Sequence, residues 1–279
     1  QTATSALSFV EMYRFFTGQE PITSDIVPEP QGQVRLAGRA VFFPLNKGLP
    51  DATLEIWRVH GDTGYRIDKK PEAVYHISGD GSWGPFKAKG GWHYEFVLYR
   101  PGAIPHHFYY EPFIRSDYLI RLQTSETLNA YLDKSNHHTN LIIMRDKELW
   151  GDQGVQNDAL EINGVDIIYP VPFAINKRVI AVFVFDKDAD GTSNLGVPVP
   201  PFYGLSFLTG VDLVIPGATP PDSSIPVVLT PRDAGGISQV INIPNWASLG
   251  DAVTIRFNDY VQDVNSWTDY VPDQAPGRN

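Results

Sequence analysis

Residues 34–43, VRLAGRAVFF, decide the fold class of this chain, because apolar and polar side chains alternate along most of them. A period of two places every second side chain on the same face, as in a half-buried β-strand. The pattern continues in four further stretches: ATLEIWRV at 52–59, SGDGSWGPF at 78–86, HYEFVLYR at 93–100 and FIRSDYLIRL at 113–122. Asp80–Gly81 is a hairpin signal. We therefore predict about seven strands between residues 34 and 122, packed as a β-sandwich.

A second β-rich region follows a polar break at residues 123–137. Strand-like runs recur between residues 138 and 264, among them NLIIMR at 140–145, VIAVFVF at 179–185 and AVTIRFNDYV at 252–261. The polar segment 265–279 is predicted to be a loosely held tail. The chain is thus predicted to be all-β, with two sandwich-like or barrel-like β-domains on either side of the break.

ALSFVEMYRFFTG at residues 6–18 departs from this pattern, because its apolar residues recur at helical spacing. Ser5 is a suitable N-cap, and Gly18 is a suitable residue to end the helix. Its apolar residues lie on more than one side, which indicates a broad partner surface. The segment 20–33, which contains several prolines, is predicted to be an extended linker to the first sandwich.

The composition excludes several classes of protein. A hydrophobic fraction of 42% over 279 residues is enough for large cores. The net charge of −10 gives no basic footprint for nucleic acid or for an anionic membrane. Cysteine is absent, so disulfides and thiolate sites are excluded. No signal peptide follows residue 1, and because Gln1 is not an initiator methionine the chain is expected to be a processed or truncated product.

The common catalytic motifs are missing from the sequence. A serine hydrolase of the α/β-hydrolase fold needs its serine in a G-x-S-x-G elbow. Ser206 follows Gly204 at the right distance, but Leu208 stands where the second glycine belongs. H-E-x-x-H, the P-loop and G-x-G-x-x-G are absent as well. We therefore predict that this chain by itself hydrolyses no ester.

Two adjacent histidine pairs, His106–His107 and His137–His138, are poor candidates for a shared metal, because neighbours in a strand point to opposite faces. They are more typical of polar edges and loops, although one member of each pair could line a functional surface. HHFYYEPF at 106–113 could line a lipid or sugar surface. Core and cross-strand packing is the alternative for these aromatic side chains.

FDKDADGTSN at 185–194 is the sharpest local signal for a bound ion. Its three aspartates alternate and Gly191 lets the chain wrap around a cation, as calcium requires of its oxygen ligands. An EF-hand would need glutamate where Val197 stands, so the loop is not an EF-hand. A solvated acidic turn is the alternative. The ligands predicted for Ca²⁺ are Asp186, Asp188, Asp190, Thr192 and Asn194.

Several stretches together resemble the C-terminal portion of the archaeal-type two-domain lipases and their bacterial relatives. These stretches are FVEMYRFFTGQEP, VRLAGRAVFFPLN, GLPDATLEIWRV, GDGSWGPF, YEFVLYRPG, HHFYYEPFIRSDYLIRL and FDKDADGTSN, and they extend over nearly the whole chain. In that family an α/β-hydrolase domain precedes β-rich C-terminal domains. Residues 34–122 are also similar to the transthyretin-like, carboxypeptidase-regulatory sandwich, which is a more generic pattern.

The resemblance implies that residues 1–19 are the last helix of an α/β-hydrolase domain, whose catalytic triad lies before Gln1. No catalytic residue is therefore assigned to this chain. The chain would be the non-catalytic portion of a secreted triacylglycerol lipase or carboxylesterase, where it covers the active site and binds lipid acyl chains. The side chains expected at the lipid are His106, Phe108, Tyr109, Tyr110, Leu128, Tyr131, His137 and His138.

Two other functions remain open at this point. A calcium-containing β-module with exposed aromatic residues could bind carbohydrate or a cell surface. A structural extracellular β-protein without any enzyme partner would have the same composition. No nucleic acid and no transmembrane segment are expected in any of the three cases.

Overall fold

The computed structural model describes residues 6–168, 175–232 and 237–259. Within these ranges the α-helices are α1 (Ala6–Thr17) and α2 (Glu126–Asn129). The strands there are β1 (Arg35–Phe42), β2 (Lys47–Gly48), β3 (Thr53–Val59), β4 (Ala73–His76), β5 (Ser82–Lys87), β6 (His93–Tyr99), β7 (His106–Tyr110), β8 (Asp117–Thr124), β9 (Leu141–Trp150), β10 (Ala159–Ile162), β11 (Val165–Asp166), β12 (Arg178–Phe185), β13 (Leu208–Asp212), β14 (Ser224–Thr230), β15 (Gln239–Pro244) and β16 (Ala252–Arg256). The all-β prediction is confirmed. No helix in the described ranges is long and apolar enough to cross a membrane.

The first small sheet is built around β1. β8 runs parallel to β1, whereas β5 and β2 pair antiparallel with it. The register shifts between Leu36 and Gly38. A Cβ atom added at Gly38 would lie 1.8 Å from the carbonyl oxygen of Ile120. Glycine at this position therefore allows β8 to approach β1 closely.

One eight-stranded sheet runs through both halves of the chain, in the order β13-β12-β9-β16-β7-β6-β3-β4. β16 comes from the C-terminal half, yet it lies between β7 and β9 and pairs parallel with both. Its register sets Ala252 beside His106 and Arg256 beside Tyr110. Main-chain hydrogen bonds therefore join the two halves.

The two smaller sheets cover opposite faces of the eight-stranded sheet. The second small sheet has the order β11-β10-β14-β15 and is antiparallel throughout. On β7, Phe108 and Tyr110 pack into the core shared with the β1 sheet, whereas Tyr109 packs into the core shared with the β14 sheet. Because successive side chains of a strand alternate between faces, all five residues of β7 are buried.

The described residues contain three apolar cores. The first lies between the β1 sheet and the eight-stranded sheet and includes Leu36, Leu54, Phe96 and Leu122. The second lies between the β14 sheet and the eight-stranded sheet and includes Leu141, Leu160, Val182 and Ile225. The third, smaller core contains Phe183, Phe185, Phe202 and Leu208. β12 separates the second core from the third, because its alternate side chains point to opposite faces.

The proposed division into domains at residues 123–137 stays a prediction. Residues 34–122 and residues 138–259 are the main contributors to one large core each, and both halves share the eight-stranded sheet. The segment 20–33 contains no helix or strand. Residues 260–264 and the predicted tail 265–279 lie outside the described residues, as does residue 5, the predicted N-cap.

Helix α1 is present where it was predicted, and none of its residues is buried. Phe15 and Phe16 are 83% and 79% exposed. The other exposed large apolar residues of the helix are Leu7, Phe9 and Met12. The helix therefore carries an apolar surface that the described residues leave uncovered.

Candidate functional site

A cavity of about 330 Å³ lies where the two halves meet. Residues 100–104 and His106 contribute to its lining from the first half. Residues 124–134, which contain α2, supply several more of the lining side chains, and the others come from Asn140, Ile142 and residues 248–253. The structure thus brings the polar break and the beginning of HHFYYEPF together around one cavity.

His106 is a deeply buried polar side chain of this lining, at 3% exposed. Its Nε2 lies 2.8 Å from Oγ1 of Thr254, and its ring stacks on Phe108 with the centroids 4.1 Å apart. Its Nδ1 is buried without a hydrogen-bond partner. Burial, followed by the charges of His107 and Arg100, lowers the pKa of His106 to about 3. The imidazole is therefore neutral at physiological pH.

Two amide side chains, Asn129 and Asn140, also belong to the lining. Oδ1 of Asn129 and Oδ1 of Asn140 are both buried without a hydrogen-bond partner. Asn140 is held in place because its Nδ2 donates to the carbonyl oxygen of Asp133 at 2.8 Å. Both amide oxygens and Nδ1 of His106 are therefore enclosed by protein atoms and do not face the open space of the cavity.

The charged side chains around the cavity balance one another. Arg100 donates to Glu126 at 2.9 Å, and Asp251 lies 3.0 Å from Nε2 of His107. Lys134 adds an exposed ammonium group. Two cationic and two anionic side chains line the cavity, so its field favours neither sign of ligand strongly.

A shallow apolar groove adjoins the cavity and shares Thr124 and Ile142 with it. Its apolar side chains are Phe43, Leu128, Met144, Ile180, Phe183 and Leu208. They come from both halves of the chain and from α2. The cavity and the apolar groove thus adjoin each other through these two shared residues.

A buried ionic network lies on the opposite face of the eight-stranded sheet. Glu95 is fully buried, and its carboxylate lies 2.6 Å from Nδ1 of His107 and 2.6 Å from Nε of Arg66. Tyr109 donates its hydroxyl to the same carboxylate at 2.7 Å. Because both nitrogens of His107 face carboxylates, Glu95 and Asp251, the ring is placed as a doubly protonated imidazolium.

The pKa values of this network follow from burial and pairing. Burial alone would lower the pKa of His107, but its hydrogen bonds to Asp251 and Glu95 and their charges raise it above its ordinary value. Burial alone would raise the pKa of Glu95, but the hydrogen bond and the charge of His107, with the charge of Arg66, lower it. The network is therefore ionised near neutral pH and ties the first half to the second.

Glu111 is a second carboxyl group at the seam of the two halves. Its Oε2 accepts from the amide of Asn258 at 2.7 Å and from Nε2 of Gln239 at 2.6 Å. Burial raises the pKa of Glu111 to about 7, although these hydrogen bonds act in the opposite direction. The folded protein therefore binds this proton more tightly than the unfolded chain does.

Glu111→Gln is expected to flatten the pH dependence of stability. The contribution of Glu111 to the free energy of unfolding is fully present below its ordinary pKa of 4.5 and is lost as the pH rises through its folded pKa of about 7. The free energy of unfolding of the variant relative to that of wild type should therefore be up to about 3 kcal/mol higher above that pH than at low pH. Urea unfolding from about pH 4 to about pH 9 measures this. Glu161→Gln, on β10, is the charge-matched control, and an equal change in both variants would contradict the prediction.

The predicted lipid contacts fall into different environments. His106 lines the cavity, and Leu128 lines the groove. Phe108, Tyr109 and Tyr110 are 1%, 2% and 8% exposed. Their side chains are buried in the two cores on either side of β7, where they do not contact lipid. The alternative interpretation as core packing therefore describes these three side chains.

The remaining predicted contacts come from the polar break. Tyr131 is 52% exposed and meets Phe202 edge to face. His137 is exposed, whereas His138 is buried with Nδ1 3.3 Å from Oδ2 of Asp186. The His106–His107 pair points to two opposite faces of the sheet, as expected, but both rings are buried inside a central strand rather than placed on an edge.

The acidic loop 185–194 does not gather its three aspartates. Asp186 is buried and accepts from the amide of Gly191 at 3.0 Å. Asp188 has a largely exposed side chain that pairs with Lys187, and Asp190 accepts from the amide of Thr192 at 2.8 Å. No group of three Asp, Glu or His side chains in the described ranges is arranged to hold a metal ion. Calcium binding by these residues, with Asn194, stays a prediction.

Sequence reasoning did not identify Glu95, Asp251, Asn129 or Asn140. One signal was available for Glu95, since a carboxylate within the mainly apolar strand HYEFVLY must find a partner. The other three residues lie in polar segments whose composition does not distinguish a buried side chain from a solvated one. The role of Asp251 depends on a contact with His107, from which it is 144 positions distant in the sequence.

Comparison with known proteins gives two segment matches. Residues 32–127 match the family model of the lipase C-terminal domain. Residues 127–261 match a second family model, which is also described as a C-terminal domain. The matched segments meet at residue 127, within the polar break. No curated protein matches the chain.

Two solved structures illustrate how distant the structural similarities are. The Bacillus anthracis TIE protein is 13% identical with a TM-score of 0.24, and the match covers 80% of this chain and 33% of that one. The shaft pilin SpaA from Lactobacillus rhamnosus GG is 10% identical with a TM-score of 0.24, covering 82% of this chain and 98% of that one. This chain spans about a third of the length of the TIE protein. TM-scores of this size carry no argument about function.

The transthyretin-like resemblance gains no support from these matches. The resemblance to lipases does, in its coarser form, through the match of residues 32–127. The chain is therefore similar to the non-catalytic C-terminal portion of a lipase-like protein, through the match of residues 32–127 to the lipase C-terminal domain.

Proposed function

We propose that this chain is the non-catalytic C-terminal portion of a secreted lipase or carboxylesterase, in which it covers the active site and binds acyl chains. The match of residues 32–127 to the lipase C-terminal domain carries the proposal. The missing nucleophile elbow agrees with a part that acts beside a catalytic domain.

The proposed partner is an α/β-hydrolase domain N-terminal to this chain. Helix α1 supports this, because its exposed Phe15 and Phe16 need an apolar surface that the described residues do not supply. The gene provides a direct test. We expect a G-x-S-x-G elbow and a late histidine to be encoded upstream of residue 1, and an upstream reading frame without them would contradict the partner.

The apolar groove is the proposed acyl-binding surface. Leu128, Met144 and Ile180 line it, and it adjoins the larger cavity between the halves. Each methylene group that leaves water on such a surface contributes about 0.8 kcal/mol. A groove that stays open to solvent would bind acyl chains reversibly and pass them to a neighbouring site.

Leu128→Asp and Met144→Asp are expected to weaken binding of a fluorescent fatty-acid probe by about tenfold or more, because each places a charge on the apolar surface. Titration of the intact chain with the probe measures this. Val74→Asp introduces the same charge at an exposed valine on β4, away from the groove, and serves as the control. Equal weakening in all three variants, or no saturable binding by wild type, would contradict the acyl-binding role.

A further inference from the structure

Residues 18–28, which connect α1 to the first small sheet, leave their backbone open to a second molecule. They contain no helix and no strand, and most of them are exposed. Ile22 is 103% exposed. Within residues 21–26 the amide of Asp25 donates to Oγ1 of Thr23 at 3.0 Å, and no hydrogen bond joins these residues to another described part of the chain. Exposed backbone of this kind is where proteases cut folded proteins.

The protein holds the chain firmly at the C-terminal end of this segment. The amide of Glu29 donates to the carbonyl oxygen of Ile114 at 2.8 Å. The carboxylate of Glu29 accepts from the amide of Ser116 at 3.0 Å and from its Oγ at 2.7 Å. Arg115 donates to the carbonyl oxygen of Val27. The open backbone therefore ends where these contacts attach the chain to the sheets.

Helix α1, at the other end of the segment, adds nothing to the apolar cores. None of its residues is buried, and no residue of the three cores comes from it. The ion pairs of Arg14 are local, with Glu11 at 2.9 Å and with Glu20 at 2.5 Å. Because stability comes mainly from buried apolar surface, a cut after the helix leaves the stability of the sheets unchanged.

We propose that this segment is a proteolytic processing site, cut within residues 22–27 by an endoprotease that accepts apolar or small side chains. Lysine and arginine are absent from residues 15–34, so a trypsin-like protease has no site there. Pro21 and Pro28 flank the window, and the fixed ring of proline disfavours cleavage of the bond before it. Hydrolysis adds one water across the peptide bond, which leaves a carboxylate on the N-terminal piece and an ammonium group on the β-rich piece.

Two other highly exposed apolar residues show why exposure alone does not make such a site. Val155 and Leu119 are 82% and 85% exposed. Val155 lies in the turn Gly154–Gln156, where the amide of Gln156 donates to the carbonyl oxygen of Gln153 at 3.2 Å. Leu119 lies in β8, which pairs with β1. A protease holds its substrate as an extended chain through main-chain hydrogen bonds, so it needs backbone groups that are not already engaged.

A cut within this window separates α1, and whatever precedes it, from the β-sheets. On the proposed function, from which this consequence follows, the separated part includes the hydrolase domain. The β-rich portion then no longer covers the active site or presents its groove there. Processing at the segment therefore changes which esters reach the catalytic domain.

Limited digestion of the whole chain with a trace of subtilisin, which accepts many side chains, tests the proposal. Intact-mass spectrometry and N-terminal sequencing identify the products over time. Thr23→Pro/Ser24→Pro/Ile26→Pro sets a proline beside every bond of the window. Thr23→Ala/Ser24→Ala/Ile26→Ala changes the same positions without fixing the backbone and is the matched control. Thermal melting confirms that each variant is folded.

We expect subtilisin to cut wild type and the alanine variant within residues 22–27 before any other described segment. The proline variant should be cut there at least about tenfold more slowly, and the trimmed protein should keep the melting temperature of the intact chain. The proposal would be overturned if another described segment were cut faster, if the proline and alanine variants were cut at the same rate, or if the trimmed protein melted well below the intact chain. Fatty-acid probe binding by the intact chain reports separately on the proposed function.

Discussion

Glu95→Ala is expected to lower the free energy of unfolding by about 3 to 5 kcal/mol, because it leaves buried positive charges without their partner. The carboxylate of Glu95 is fully buried and receives His107, Arg66 and Tyr109 within 2.7 Å. Its removal leaves an imidazolium that is 2% exposed with Asp251 as its remaining carboxylate.

Urea unfolding of the whole chain near neutral pH measures this change. Glu126→Ala is the matched control, because it removes a carboxylate from the exposed ion pair with Arg100. Such a surface pair contributes about 0–1 kcal/mol. Glu95→Gln keeps the shape of the side chain but removes its charge, so it should fall between the two alanine variants. A loss for Glu95→Ala no larger than that for Glu126→Ala would contradict the role of the network.

The pH dependence of the same network has a definite sign on each side of neutrality. Because the pKa of His107 is raised, its contribution to the free energy of unfolding is fully present below the ordinary histidine pKa of 6.5. This contribution is lost as the pH rises through the pKa of His107 in the folded protein. The lowered pKa of Glu95 means that its contribution is present above its ordinary value of 4.5 and is lost as the pH falls through the folded pKa. His107→Gln should therefore remove the alkaline loss. An unchanged alkaline slope in that variant would show that other groups cause it.

Phe96→Ala is expected to cost about 3 to 5 kcal/mol through the cavity that it leaves in the first core. Phe96 is fully buried on β6, and its ring lies 5.6 Å from the rings of Trp83 and Tyr110 and 6.2 Å from that of Phe113. These neighbours come from β5, β7 and the loop after β7, so the site cannot collapse around a smaller side chain without moving several strands. Phe96→Leu fills more of the space and should cost clearly less.

The response of the second half to Phe96→Ala tests how far the shared sheet couples the halves. β16 is hydrogen-bonded to both β7 and β9, and β9 is hydrogen-bonded to β12. Destabilising the first core should therefore also lower the protection of the β9 and β12 amides from hydrogen exchange. Native-state hydrogen exchange on those strands measures this. If β12 kept its wild-type protection while β6 lost its own, the halves would unfold separately despite the common sheet.

Local pattern in the sequence was enough for the fold class and for α1. Alternation in VRLAGRAVFF and HYEFVLYR predicted the strands β1 and β6, because side chains alternate within each strand and the pattern is therefore local. Both faces of β6 are nevertheless buried. Helical spacing in residues 6–17 gave the helix for the same reason. The opposite orientation of His106 and His107 also followed from strand geometry alone. The lipase resemblance rested on motifs, and a match over residues 32–127 supports its coarser form.

The tertiary structure alone decided which residues of those patterns meet. From its sequence alone, HHFYYEPF could form an exposed aromatic surface. In the structure its strand β7 is buried, because β16 pairs beside it and the two small sheets cover its opposite faces. The same pairing carries Asp251 to His107 and creates the cavity around His106. Pairing between β7 and β16 joins residues about 146 positions apart, and nothing local in either strand specifies its partner. A sequence pattern states which face of a strand is buried, whereas the site depends on what covers that face.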